Sequence, residues 1–187
     1  MDNYEVHISQ LKTGDLVFFH NKGAIAKVIS AFQKSKYNHV GIVWVNPEDN
    51  EKYIFESTKF RKNKDGVIIT RIEEAVDGKL GKNAIRYIKN PLTTEQVNIM
   101  NQFVEDTLGI KYEKNYIELM ASTIDIVGQY RGKKNKGIFC SELLVMLFKQ
   151  IGFFNKDVIP NEFTPADLTK MELYFYEANI VPVVLKA

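Results

Sequence analysis

The chain is written in two periodicities that change over near Pro91, and that change limits the folds open to it. Before Pro91 the apolar residues come in short runs. Leu16-Val17-Phe18-Phe19 follows Gly14-Asp15, and Val40 to Val45 is β-branched and aromatic. Both are strand signals. Asn46 to Asn50 is a turn by composition, and Tyr53 to Ser57 returns from it, so the pair reads as a hairpin. Val67 to Ile72 and Ala84 to Ile88 read as further strands, with Lys59 to Asp65 as a charged loop. One early helix interrupts them: Gly23 to Gln33 spaces Ile25, Val28, Ile29 and Phe32 as a helix does. After Pro91 helical spacing dominates. Thr93 and Gln96 stand at capping-box spacing, and Gly109 sits where a glycine ends a helix. A second stretch, 116 to 127, is helical, and a basic loop runs from Gly128 to Gly137. Phe139 to Ile151 is a strongly apolar helix that Gly152 ends, and Pro165 fits the first turn of a last short one. Val181 to Leu185 reads as a closing strand. Strands first and helices later predict an α+β fold with a mainly antiparallel sheet.

At 187 residues the chain suits one domain, taken as 1–187, with enough length for a core of its own. A net charge of +2 with mixed signs gives no nucleic-acid footprint. No run approaches the length that spans a bilayer, and the first residues lack the pattern of a signal peptide, so a cytoplasmic location is expected. The single cysteine excludes an internal disulfide. His7, His20 and His39 lack metal-ligand spacing, so neither metal nor cofactor is expected.

That cysteine, Cys140, stands at the predicted start of the apolar helix, after a glycine-containing loop. A sulfur there sees the positive end of the helix dipole, which favours a thiolate. The free N–H groups of the first turn suit an oxyanion. A second reading competes. Cys140, Leu143, Leu144, Leu147, Phe148 and Ile151 form one helical stripe, so the cysteine is equally placed to be core. His39 opens a strand, where an imidazole is rigidly aimed as a general base requires. Glu56, beside Ile54 and Phe55, is a candidate to orient that ring or an acid on a solvated face. The hairpin register decides between these. Gly41 opposite Glu56 puts His39 and Glu56 on one face, and a one-residue slip parts them.

Taken in order, "GDLVFF" at 14–19, "NHVGIV" at 38–43, "FES" at 55–57, "LGIKY" at 108–112, "FCSELL" at 139–144 and "TPADL" at 164–168 resemble a known family. It is the circularly permuted, YiiX/YebB-like branch of the NlpC/p60 papain-like superfamily, poxviral relatives included. In ordinary NlpC/p60 enzymes the cysteine helix precedes the histidine strand. Here His39 precedes Cys140. The resemblance implies an antiparallel sheet or small barrel packed against the cysteine helix. It implies Cys140 as nucleophile, His39 as base and Glu56 as the group orienting the imidazole. Tyr112 matches a tyrosine lining the site, and the N–H of Cys140 or Ser141 would supply part of an oxyanion hole. The long spacer between Tyr112 and Cys140 departs from the pattern.

The activity implied is thiol-dependent hydrolysis or acyl transfer on an amide or ester bond, with an acyl-containing small molecule, lipid or peptide as substrate. Phe19, Ile42 and Trp44 are then candidates to line an acyl groove, or simply core. The basic runs Lys59 to Lys64 and Arg131 to Lys136 read as solvated loops, with contact to a membrane surface as the other reading. Two other classes remain open: an inactive lipid- or peptide-binding module of the same fold, and a structural interaction protein.

Overall fold

Leu16–Phe19 is buried along its whole length. A strand can be apolar throughout only where both faces of its sheet are covered, and here they are. The computed structural model describes residues 4–22, 24–61, 64–76, 83–112, 137–172, 174 and 183–186. The strands are β1 (Tyr4–His7), β2 (Leu16–Phe19), β3 (His39–Val45), β4 (Lys52–Arg61), β5 (Lys64–Arg71), β6 (Asn83–Arg86) and β7 (Val183–Lys186). The helices are α1 (Ala24–Gln33), α2 (Ile72–Val76), α3 (Thr94–Thr107), α4 (Cys140–Gln150) and α5 (Pro165–Leu168). The expected helix at 116–127 and the basic loop at 131–136 lie outside the described residues.

The strands form one open sheet in the order β1-β7-β6-β2-β3-β4-β5. From β6 to β5 every neighbouring pair is antiparallel. β7 joins β6 through Asn83 and Val183, and β1 runs parallel to β7. The α+β expectation with a mainly antiparallel sheet therefore holds, as an open sheet rather than a barrel.

Alternate residues feed two cores. Phe18, Val40, Ile42, Trp44 and Phe55 face α3 and α4, meeting Met100, Phe103, Leu143, Leu144, Leu147 and Phe148. Val17, Phe19, Val43 and Ile54 face the other way, onto Ile8, Leu11 and the α2 residues Ile72 and Ala75. Each fully buried side chain of this kind contributes roughly 1.5–3 kcal/mol. Phe19 and Ile42 thus point to opposite faces and share no groove. Trp44 is core as well, its indole N–H donating to Asn101 Oδ1 at 2.8 Å.

The helix ends follow the sequence signals. Thr93 and Gln96 form the capping box of α3, and Gly109 and Gly152 adopt positive φ just past α3 and α4. Thr164 caps α5, with Pro165 in its first turn. Two readings are corrected. The charged loop at 59–65 is the tip of a long hairpin, because β4 runs on to Arg61 and β5 starts at Lys64. The strand placed at 67–72 ends at Arg71, where Ile72 begins α2.

Candidate active site

The β3–β4 register pairs Ile42 with Phe55 and Val43 with Ile54. Carried one step further, it sets Gly41 across from Glu56. A Cβ built on Gly41 would lie 2.4 Å from Ile54 Cγ2 and 3.3 Å from Glu56 Cβ. Glycine is needed there for the two strands to bring their side chains together. It leaves room for the carboxylate to lean diagonally to His39, one pleat along. His39 Nε2 and Glu56 Oε2 meet at 2.5 Å.

Both groups are out of water: His39 is 1% exposed and Glu56 is fully buried. Burial pulls the His39 pKa down, but Cys140 and Glu56 pull harder, and the outcome is a rise to about 9. Nε2 is the ring nitrogen that Glu56 engages. For Glu56, burial acts upward, while hydrogen bonds and charge from His39 and Arg61 act downward and prevail. Imidazole and carboxylate form a buried hydrogen-bonded pair, and Cys140 acts on the ring's proton affinity.

Cys140 is the first residue of α4 and His39 the first of β3. Their meeting at the sheet's margin follows from both being element starts. The thiol is 4% exposed and free of any disulfide. Its approach is fixed from several sides. Ser57 Oγ donates to the carbonyl of Ile138 at 2.6 Å, holding the turn before the helix against β4. The Phe139 N–H donates to Glu142 Oε2 at 3.2 Å. Ser141, buried, donates through Oγ to the carbonyl of Phe163 at 2.6 Å, so its hydroxyl is spent on tying the 160–168 segment to α4. Only its backbone N–H is left for a role at the site.

Tyr112 bridges to Ile138 and is buried. Its ring meets Phe139 edge-on at 5.8 Å, with Ile29 in the same cluster. It stands beside the cysteine turn, packed under the residue that precedes Cys140.

Arg61 was read as part of a solvated loop and is not. It is 11% exposed, and its Nε donates to Glu56 Oε1 at 2.8 Å. Strict alternation would put positions 56 and 61 on opposite faces. A bulge between Thr58 and Arg61 restores them to one face. That irregularity has no signal in a period-2 reading. His20 is exposed and takes no part.

The sequence profile of the permuted papain-like amidase enzymes, the YaeF/YiiX family of C92 peptidases, matches residues 10–159. The chain belongs to this family. It is by family a hydrolase of the cysteine type. The fold is also that of a solved relative, described as the crystal structure of metalloprotein yiiX from Escherichia coli O157:H7. The likeness has a TM-score of 0.59 and 19% identity, over 93% of this chain and 87% of that one. No curated protein matches the sequence. The word metalloprotein belongs to that structure. Among the described residues of this chain, no three His, Cys, Asp or Glu side chains gather as metal ligands would. No helix among the described residues is long and apolar enough to cross a membrane. Two shallow surface cavities flank Ile88 and Pro91, and neither is lined by Cys140, His39 or Glu56.

Proposed function

We propose that the protein is an amidase-type thiol hydrolase in which Cys140 attacks an acyl carbonyl, His39 carries the proton and Glu56 orients the ring. The observation that carries this reading is the buried His39–Glu56 hydrogen bond, on a ring whose proton affinity Cys140 raises. In the attack His39 accepts the proton of Cys140, so that the sulfur reacts as a thiolate. The thiolate adds to the carbonyl carbon, and the oxyanion sits near the N–H groups of Cys140 and Ser141 at the start of α4. His39 gives its proton to the leaving amine or alcohol, and a thioester forms on Cys140. The neutral imidazole then takes a proton from water as that water attacks the thioester, which releases the acid and restores the thiol. Glu56 keeps the ring in one orientation throughout. Tyr112 backs the turn that presents Cys140. The substrate is an acyl compound of peptide or lipid-linked type, and an alcohol or amine acceptor in place of water would make the same steps a transfer.

The test is labelling of Cys140 by a thiol-reactive acyl probe at pH 6, followed by mass spectrometry. Wild type labels faster than a free model thiol, and His39→Ala slows the reaction by about 100-fold, the scale of a lost acid–base partner. Labelling that is no faster than the model thiol, or is unaffected by His39→Ala, removes the enzyme reading and leaves a binding module of the same fold.

A further inference from the structure

Glu56 has two carboxylate oxygens, and each has its own cation. Oε2 meets His39 Nε2 at 2.5 Å, and Oε1 accepts from Arg61 Nε at 2.8 Å. Arg61 is itself held. Its Nη1 donates to the carbonyl of Ala75 at 2.8 Å, one of the late carbonyls of α2 that the helix cannot satisfy internally. Its guanidinium lies over the ring of Phe19, 5.1 Å from the centroid. The same ring stands 5.4 Å from the imidazole of His39. Phe19 therefore packs against both cations that share the carboxylate, and the bulge in β4 exists at the one place that turns Arg61 toward them.

We propose that Arg61 is a positioning residue that divides the Glu56 carboxylate, pinning Oε1 so that Oε2 alone faces His39, and that this sharing lets the imidazolium release its proton to a leaving group. The argument rests on the triad reading above. A buried carboxylate with one cation would bind that cation's proton too firmly for a general acid. A second cation on the other oxygen withdraws part of that hold and keeps the carboxylate ionised. The guanidinium is suited to this because it stays charged and its fork reaches Glu56 and Ala75 together, which an ammonium cannot do. The other charged groups on the elements packed here are peripheral. Lys59 on β4 is half-buried, and Asp65 on β5 and Glu73 and Glu74 on α2 are exposed. Apart from burial, the influences on His39 come from Cys140 and Glu56, and those on Glu56 come from His39 and Arg61.

The experiment is an NMR titration of the His39 imidazole, assigned by its loss in His39→Ala, with thermal unfolding measured alongside. Wild type titrates at about 9. In Arg61→Gln the midpoint moves to higher pH, because the carboxylate is left with His39 as its only cation. Arg61→Lys keeps the charge but loses the fork, and its midpoint falls between the two. Turnover of an amide reporter drops by about tenfold in Arg61→Gln, the equivalent of one unit of proton affinity. A lowered melting temperature with an unmoved midpoint would make Arg61 merely structural and would overturn the proposal, as would a downward shift. If Arg61→Gln does not fold, the lysine variant decides alone: a raised midpoint supports the proposal and an unchanged one overturns it. Failure of the triad reading looks different, since wild-type Cys140 would then label no faster than a model thiol.

Discussion

Burial alone would strip His39 of its proton at neutral pH, since an imidazolium loses its hydration inside the protein. The proton is kept because two groups of opposite tendency surround the ring, and Glu56 is one of them. Replacing that carboxylate by an amide of the same shape isolates its part. In Glu56→Gln the shape is kept, the negative charge is lost, and the amide has only one acceptor oxygen for the two donors, His39 Nε2 and Arg61 Nε. Both changes act in one direction. His39 is expected to titrate clearly below about 9, and labelling of Cys140 slows because the ring is a weaker base for the sulfur's proton. An NMR titration that leaves the midpoint in place would show that Glu56 does not set the proton affinity of the ring. The opposite shifts expected for Glu56→Gln and Arg61→Gln make the pair of variants more telling than either alone.

The element on which the site turns is β4. Its successive residues point to opposite faces, and the strand uses both. Glu56 reaches His39 on one side, and Ser57 holds the Ile138 carbonyl, two residues before Cys140, on the other. One strand thereby positions the base and the nucleophile's turn together. Its partner β3 contributes space, through Gly41. Gly41→Ala puts a methyl 2.4 Å from Ile54 Cγ2, so β3 and β4 must separate or Ile54 must leave its rotamer. Overpacking of this kind costs roughly 1–3 kcal/mol. Chemical denaturation should show that loss, with the His39 titration displaced because Glu56 can no longer lean across. A variant as stable as wild type would mean that the strands yield there easily. This hairpin also marks how far the sequence can be read. The runs at 16–19 and 40–45, the Thr93–Gln96 capping box and the α4 stripe were legible because each is local and periodic. Whether His39 and Glu56 share a face was not, because register is fixed by packing across a turn. Arg61 was hidden by a bulge, and β1 was hidden because its partner, β7, lies at the far end of the chain.

At the scale of the whole molecule, the buried His39–Glu56–Arg61 group ties function to stability. The sheet is covered on both faces, so these charges sit where solvent cannot compensate them. Their proton affinities must then appear in the pH dependence of unfolding. For His39 the folded value, about 9, lies above the ordinary 6.5. Its contribution is fully present below the unfolded value and is lost as pH rises through about 9. For Glu56 the folded value lies below the ordinary 4.5. Its contribution is fully present above the unfolded value and is lost as pH falls through the depressed folded one. The two windows overlap between 4.5 and 6.5, where the group stabilises most. The expected melting curve is therefore highest in that interval and declines across the alkaline side as far as about 9. His39→Gln is less stable at pH 6 and shows a much shallower alkaline decline, because the residue responsible no longer titrates. The measurement is melting temperature against pH for both proteins. An alkaline decline of equal steepness in the two would assign it to other groups, and would show that the imidazole does not hold its proton more tightly in the folded chain than in the unfolded one.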